Sequence, residues 1–504
     1  MRLRIAALAV VSLLATAFTA GAAPAQAGPD GAGPPPSRPT APPGQTPPPG
    51  AAPSEAWAWT QLTSNGTEIR YVSTDTSQTC PWVRYTDPAG VRSGHPMLRV
   101  STPLGQDFPT TVCELGPVPL GSSDAVIDRT TVRAAVLHPA NGRLPLPTWT
   151  SATRPGRIAV IGDSGCDVPV TGVVQNCADH QNGWPFQRIA DSAATVTRPD
   201  LVVHTGDYLY REDPGRENDP AANPGCTTLA DHGSWACVVA DFFRPAERLL
   251  GTSPVVLARG NHEDCNNIQQ GGAGGAWFRY LADQLRSNNS CSRYSPPAAI
   301  RAGTLNLINL DSSYADPADN GSTAQRDIYA AQFETVNQDA QQHPAHDYFV
   351  VTHKPVWMVK AAGFPVGNVE WVTPVLDEAV ARTTLGRLRD NVRMVLSGHI
   401  HLYQMLAFNT ARPPQLTVGS SGATLVNGPD DRNVERQSIG TPPQRIDVSR
   451  TQTLTPGGMG VFGYGDLRST PTAWRLAFRQ PNGQVRGQTC TLSTSLANKT
   501  FACI

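Results

Sequence analysis

The spacing of hydrophobic and polar positions changes several times along this chain. Ile5 to Ala20 is a continuous apolar run without a charged side chain, and residues 28–55 then carry almost no large apolar side chains. From Ala56 to Leu146 the period is two, as in Glu68–Ser73 and Thr131–Leu137, with turn clusters at Asp87–Gly90 and Ala140–Gly142. That pattern predicts short antiparallel strands. From Arg157 onward, short apolar segments predict buried strands: Arg157–Ile161, Leu201–Thr205, Pro254–Ala258, Leu305–Leu310, Tyr348–Thr352 and Val392–Leu396. Amphipathic helical stretches such as Pro185–Val196 lie between them, so the fold class is α/β with at least partly parallel sheets. After Gln415–Val418 the chain is β-rich again through Ala473–Arg479, and these strands are expected to complete a second sheet.

With 504 residues the chain is too long for one compact core, and the rhythm divides it. Arg2 and Arg4, the apolar run and the small residues Ala25-Gln26-Ala27 read as a signal peptide over 1–27. The run is short for a membrane anchor. Residues 28–55 are a Pro/Gly-rich linker that cannot bury enough surface to offset its ordering entropy. A small all-β domain at 56–150 and a catalytic domain at 151–504 with a β-rich C-terminal part follow. No second apolar run is long enough to span a bilayer, so the expectation is a secreted, extracellular protein.

Charge and cysteine usage narrow the classes further. Charged residues make up 16% and the formal net charge is -1, with no basic block, so no nucleic-acid-binding surface is evident. The 10 cysteines show no zinc-finger spacing. In an exported protein their default state is disulfides. The simplest arrangement pairs neighbours: Cys80 with Cys113, Cys166 with Cys177, Cys226 with Cys237, Cys265 with Cys291, and Cys490 with Cys503.

Candidate chemistry falls just after the predicted strands, where α/β sheets place their sites. The strand ends read Gly162-Asp163-Ser164-Gly165, Gly206-Asp207-Tyr208-Leu209-Tyr210, Gly260-Asn261-His262-Glu263, Thr352-His353 and Gly398-His399-Ile400-His401. Any one Gly-Asp is usually a turn or a cap, and a lone histidine is usually a packed one. Five such ends in order supply carboxylate, amide, phenol and imidazole groups as potential oxygen and nitrogen ligands of a metal.

This series resembles the calcineurin-like metallophosphoesterases, and more narrowly the purple acid phosphatases, over about residues 157–425. The resemblance implies a four-layered α/β/β/α metallophosphoesterase sandwich of two mixed sheets, preceded here by the small all-β domain. It implies that Asp163, Asp207, Tyr210 and His401 bind a first metal and that Asp207, Asn261, His353 and His399 bind a second, with Asp207 bridging. Where the common branch has a metal-binding histidine this chain has Gly165, and Tyr210 takes its place. The phenolate implies Fe(III) at the first site, with iron, zinc or manganese at the second. His262 is the implied catalytic residue, stabilising the transition state or protonating the leaving oxygen.

Two cations roughly 3.5–4 Å apart clamp a phosphoryl oxygen and acidify bound water, so the expected reaction is attack of metal-bound hydroxide on a small phosphate-ester substrate. Purple acid phosphatases generally carry another substrate-contacting histidine between the positions of His353 and His399. This chain has Lys354, Trp357 and Lys360 there instead, which puts acid-optimum monoesterase behaviour in question. Lys354 and Arg259 are candidate substrate contacts, against a surface placement for the lysine and a salt bridge for the arginine. The alternatives are a phosphodiesterase acting on nucleotides, lipid head groups or wall phosphates, and a non-catalytic secreted binding protein on the same fold.

Overall fold

A computed structural model of the chain describes residues 53–504, apart from 217–225, 227–232, 266–271, 289, 316–322, 362–368, 372, 430, 432–433, 435–437, 440–445, 456–459 and 494–498. The expected signal peptide and residues 28–52 of the expected linker lie outside the described residues.

Among the described residues most strands form two mixed sheets, one 12-stranded and one 8-stranded, beside a 3-stranded sheet of Trp82–Thr86, Arg92–Pro96 and Ser123–Ile127 and a 2-stranded one of Val359–Ala361 and Val369–Trp371. In the first, Arg157–Ile161, Leu201–His204 and Val255–Leu257 run parallel. In the second, Leu305–Leu310, Asp347–Thr352, Val392–Ser397 and Gln415–Val418 run parallel, flanked by antiparallel Ala298–Ala302 and Tyr403–Phe408. Side chains alternate across a strand, so each apolar run supplies two faces. Ile158, Val160, Leu201, Val203 and Val256 meet Leu307, Phe349, Val351, Met394 and Leu396 between the sheets. Ala159, Ile161, Val202 and Leu257 face the other way, onto the Phe186–Ser192 and Arg244–Leu250 helices. On the far side, Ile308, Tyr348, Val350 and Val395 pack under the Thr323–Gln342 helix through Tyr329, Phe333, Val336 and Ala340. Those four lie at helical spacing on one face. The result is the four-layered α/β/β/α sandwich that the resemblance implies.

Phe349 is 0% exposed and its ring lies 5.0 Å from that of Trp474 on the facing sheet, so it joins the two sheets. Phe349→Ala is expected to lower stability by about 3–5 kcal/mol. Urea denaturation followed by tryptophan fluorescence checks this, and a midpoint equal to that of the unmodified protein would contradict the packing.

The chain ends differ from expectation. Tyr403–Phe408, Gln415–Val418 and Ile446–Thr453 join the second sheet. The closing strands do not, because Tyr464–Ser469 pairs antiparallel with Arg157–Ile161, and Ala473–Arg479, Val485–Ser493 and Phe501–Cys503 follow outward on the first sheet. This covers backbone groups of Arg157–Ile161 that an edge strand would expose.

At the other end of the first sheet, Glu55–Thr63 pairs antiparallel with Gly66–Ser73, which pairs with Thr111–Val118. These strands meet the parallel set through Gln61 opposite Val255. Glu55–Thr63 serves two cores by its period of two: Trp57 and Trp59 pack with Phe243, while Ala56 and Ala58 pack with Ile69, Tyr71 and Val83. Five disulfides are present, Cys80–Cys113, Cys166–Cys177, Cys226–Cys237, Cys265–Cys291 and Cys490–Cys503.

Candidate metal centre

Five loops leave the carboxyl ends of parallel strands from both sheets and converge on one point. Three of the convergent residues, Asp163 (φ 55), Asp207 (φ 59) and His399 (φ 74), sit in the left-handed region. Such backbone costs on the order of 1–3 kcal/mol per non-glycine residue and persists only where its surroundings over-determine it. They do so here. The Asp163 amide donates to the Gly206 carbonyl at 2.9 Å, the Asp207 amide to Glu263 Oε2 at 3.1 Å, and the His399 amide to Asp163 Oδ2 at 2.9 Å. The glycines ahead of these residues permit close approach. A Cβ on Gly206 would lie 2.7 Å from His353 Nδ1, and one on Gly398 would lie 2.2 Å from Asp163 Oδ2.

The side chains form two linked groups. Tyr210 donates from its hydroxyl toward Asp207 Oδ2 at 2.6 Å and Asp163 Oδ1 at 2.9 Å, and His401 Nε2 lies 3.0 Å from the same hydroxyl. His353 Nε2 lies 2.9 Å from Asn261 Oδ1 and 3.1 Å from Asp207 Oδ2. The His353 and His399 rings are 5.1 Å apart, and donor atoms of Asp207, His353 and His399 all lie within 4.8 Å of one another. Asp207 Oδ2 therefore touches both groups. Backbone carbonyls orient the imidazoles: Thr205 O is 2.9 Å from His353 Nδ1 and Thr424 O is 2.6 Å from His401 Nδ1, which turns each Nε2 toward the cluster.

Electrostatics match a site built around positive charge. Burial pushes Asp163 up to about 6, against the pull of His353 and His401. At Asp207 burial acts upward too, but His353, His262 and hydrogen bonds from His353 and Tyr210 hold it well below the usual carboxylate range. Burial opposes a charge on His353, yet Asp207 raises it to about 9. Burial, then His353 and Lys354, hold His399 well below the imidazole range. Burial and the two carboxylates push Tyr210 well above the ordinary phenol range. Carboxylate, phenol and amide oxygens with imidazoles form a donor set from which transition-metal ions displace protons, so the residues fit a metal pair.

The structure brings together Asp163, Asp207, Tyr210, Asn261, His353, His399 and His401. His262 lies at the edge, its amide donating to Asp207 Oδ1 at 3.0 Å and its ring 4.2 Å from Tyr210. Lys354 is buried, with its amide donating to Ser312 Oγ. Its charge acts on His399. Arg259 is engaged elsewhere: its guanidinium pairs with Asp311 at 3.0 Å and donates to the Glu263 and Ser292 carbonyls. Trp357 is buried in the outer core and bonds Asp377.

Sequence reasoning assigned no role to Glu263, which is 1% exposed. Its Oε2 accepts the amides of Asp207 and Gly260, each at 3.1 Å, and its Oε1 those of Tyr208 at 2.8 Å and Leu209 at 3.1 Å. Burial and Asp207 push it up to about 8, against the pull of the Tyr208 and Leu209 amides. The carboxylate next to His262 in the Gly260–Glu263 motif was the available signal. Glu212 was also missed; its Oε1 lies 3.3 Å from His262 Nδ1.

The calcineurin-like phosphoesterase family model matches residues 156–403, the span that carries all five loops. Among solved structures, the chain is similar to a purple acid phosphatase isolated from yellow lupin (Lupinus luteus) seeds, at 14% identity and a TM-score of 0.49, over 86% of this chain and 74% of that one. It is also similar to PhoD, at 10% identity and a TM-score of 0.51, over 89% of this chain and 91% of that one. No curated protein matches the sequence.

Proposed function

We infer, from this chain's place among the calcineurin-like phosphoesterases through residues 156–403, that it is a secreted hydrolase of phosphoric esters with a binuclear centre like that of purple acid phosphatases. The observation that carries this reading is the position of Asp207 Oδ2, within 2.6 Å of the Tyr210 hydroxyl and 3.1 Å of His353 Nε2. One carboxylate oxygen thus lies within reach of both donor groups, so Asp207 could serve both ions. Asp163, Asp207, Tyr210 and His401 would hold one ion, and Asp207, Asn261, His353 and His399 the other. The phenol and two carboxylates suit Fe(III) at the first site, and the imidazole-rich second suits iron, zinc or manganese. The five disulfides support an oxidising, extracellular destination.

When bound, the cations supply charge stabilisation to the phosphoryl oxygens and make water acidic enough to act near neutral pH. The chain's own groups then divide the remaining work. The carbonyls of Thr205, which is buried, and Thr424, which is exposed, hold the imidazoles in one orientation, so the site needs little reorganisation as charge develops. Water adds its oxygen to phosphorus and loses a proton to solvent. The ester P–O bond breaks with its electron pair on the leaving oxygen, and His262 gives that oxygen a proton. Lys354, whose charge is felt at His399, adds positive charge near the centre.

A diester reading also has an observation behind it. Glu212 places a further carboxyl group at the rim, its Oε1 3.3 Å from His262 Nδ1, with burial first and then Asp167 and Asp207 raising it; ionised, it adds negative charge there. Negative charge at the rim disfavours a dianionic monoester relative to a monoanionic diester.

Hydrolysis of p-nitrophenyl phosphate and bis(p-nitrophenyl) phosphate by the purified protein tests both readings. Turnover is expected on at least one, lost on prolonged chelation and restored by iron with zinc or manganese. Faster diester turnover supports the rim argument. Turnover that survives complete metal removal would overturn the binuclear reading.

A further inference from the structure

Beside the start of the Gly260–Glu263 loop lies a cavity that no proposed metal ligand lines. Its volume is about 240 Å³, just below the range of about 300–1,000 Å³ usual for drug-sized ligands, so it suits a small molecule. Trp277, Phe278, Leu285, Pro296 and Pro297 give it an apolar wall. Four charged side chains share that wall: Arg259, Asp283, Arg286 and Asp311. Two of them neutralise each other, because Arg259 pairs with Asp311 at 3.0 Å. The other two, both half-buried, do not. Arg286 donates only to neutral oxygens, the Ser290 carbonyl at 3.1 Å and the Ser290 and Ser292 hydroxyls at 3.5 and 2.8 Å. Its guanidinium lies 3.8 Å over the Phe278 ring, with that of Arg259 4.9 Å from the same ring. Burial and then Arg259 disfavour its charge. The Asp283 carboxylate accepts from the Ser64 amide and hydroxyl. Among the described residues neither charge has an ionic partner.

The backbone that carries these two charges is already fixed. Arg70, fully buried, donates to the Ala282 and Asp283 carbonyls at 2.6 and 2.9 Å, and Gln61 to the Leu281 carbonyl at 2.8 Å. The Arg286 amide donates to the Phe278 carbonyl at 2.8 Å. Binding therefore need not order this segment, a cost that weakens association elsewhere.

We propose that this cavity is a second binding site, for a free α-amino acid with a large apolar side chain. The carboxylate of such a zwitterion meets Arg286, its ammonium meets Asp283, and its side chain lies on the apolar wall. A guanidinium–carboxylate contact is charge-assisted and stronger than the serine contacts that Arg286 makes. A purely anionic or purely cationic ligand would leave one of the two wall charges unanswered. The site is independent of the phosphoesterase reading.

Calorimetric titration of the metal-loaded protein with L-phenylalanine tests this, alongside phenylpropionate and phenethylamine, which each carry one of the two charges. Saturable binding at one site per chain, with a Kd below about 1 mM, is expected for the amino acid. Each single-charge analogue should bind at least about 10-fold more weakly, the worth of one charged hydrogen bond. Arg286→Gln and Asp283→Asn should each weaken the amino acid by a similar factor. No saturation by about 10 mM, or equal affinity for either analogue, would overturn the proposal. So would binding that survives both substitutions, which places the ligand elsewhere. The analogue series uses only the unmodified chain, so it decides the matter even where a variant fails to fold.

Discussion

Asp207→Asn is expected to remove metal from both sites and to lower turnover at least about 10³-fold. Asn has nearly the same shape but one negative charge fewer, and its amide nitrogen cannot accept a metal or a proton donor. Asp207 Oδ2 is the atom within reach of both Tyr210 and His353. Oδ1 holds the His262 amide at 3.0 Å. Whichever way the Asn side chain turns, one of these roles falls to a nitrogen. Metal catalysis supplies several kcal/mol of transition-state stabilisation. Losing about 4 kcal/mol of it corresponds to about 10³-fold in rate. Metal content by elemental analysis and kcat on the better nitrophenyl ester check the result together. Asp207→Asn protein that keeps two ions and near wild-type turnover would remove Asp207 from the bridging position.

Glu263→Gln is expected to cost about 2–6 kcal/mol of stability and to weaken metal retention about 10–100-fold, although Glu263 touches no proposed metal position. The carboxylate accepts four backbone amides, from Asp207, Tyr208, Leu209 and Gly260. These amides belong to two of the five loops, and Asp207 is held in a left-handed conformation by this contact. An amide nitrogen in place of one oxygen would face two N–H donors with a donor of its own. A buried polar group left without a partner costs about 1–3 kcal/mol, which for two gives the range stated. Urea denaturation of metal-free protein reads the stability, and dialysis against a chelator reads the metal. Unchanged values on both counts would show that the loops hold their shape without the clamp.

The parts of the fold legible in the sequence are those with a local cause. The strands at Arg157–Ile161, Leu201–His204 and Asp347–Thr352 are short apolar runs buried on both faces, and both faces are packed in the structure. Asp163, Asp207, Asn261 and His399 were legible because each directly follows a glycine, whereas His353 follows Thr352. Gly206 and Gly398 leave room for His353 and Asp163, so the motif records the close approach directly. What could not be read depends on distant contacts. Nothing near Gln61 announces that it lies opposite Val255 and joins the N-terminal strands to the parallel set. Tyr464–Ser469 has no local feature that directs it to the edge of the first sheet instead of the second. Arg259 is similar: beside the Gly260–Glu263 motif it reads equally as a phosphate contact or a salt bridge, and the partner of its ion pair, Asp311, lies 52 residues onward. Glu212 and Glu263 read as ordinary carboxylates until the folded loops set four amides around one and an imidazole beside the other.

The most direct test of the binuclear reading is the metal content of the purified protein, taken with its visible spectrum and that of Tyr210→Phe. Two transition-metal ions per chain are expected, with a phenolate-to-Fe(III) absorption band that is absent in Tyr210→Phe. Protein that takes up no metal under any loading condition would contradict the reading.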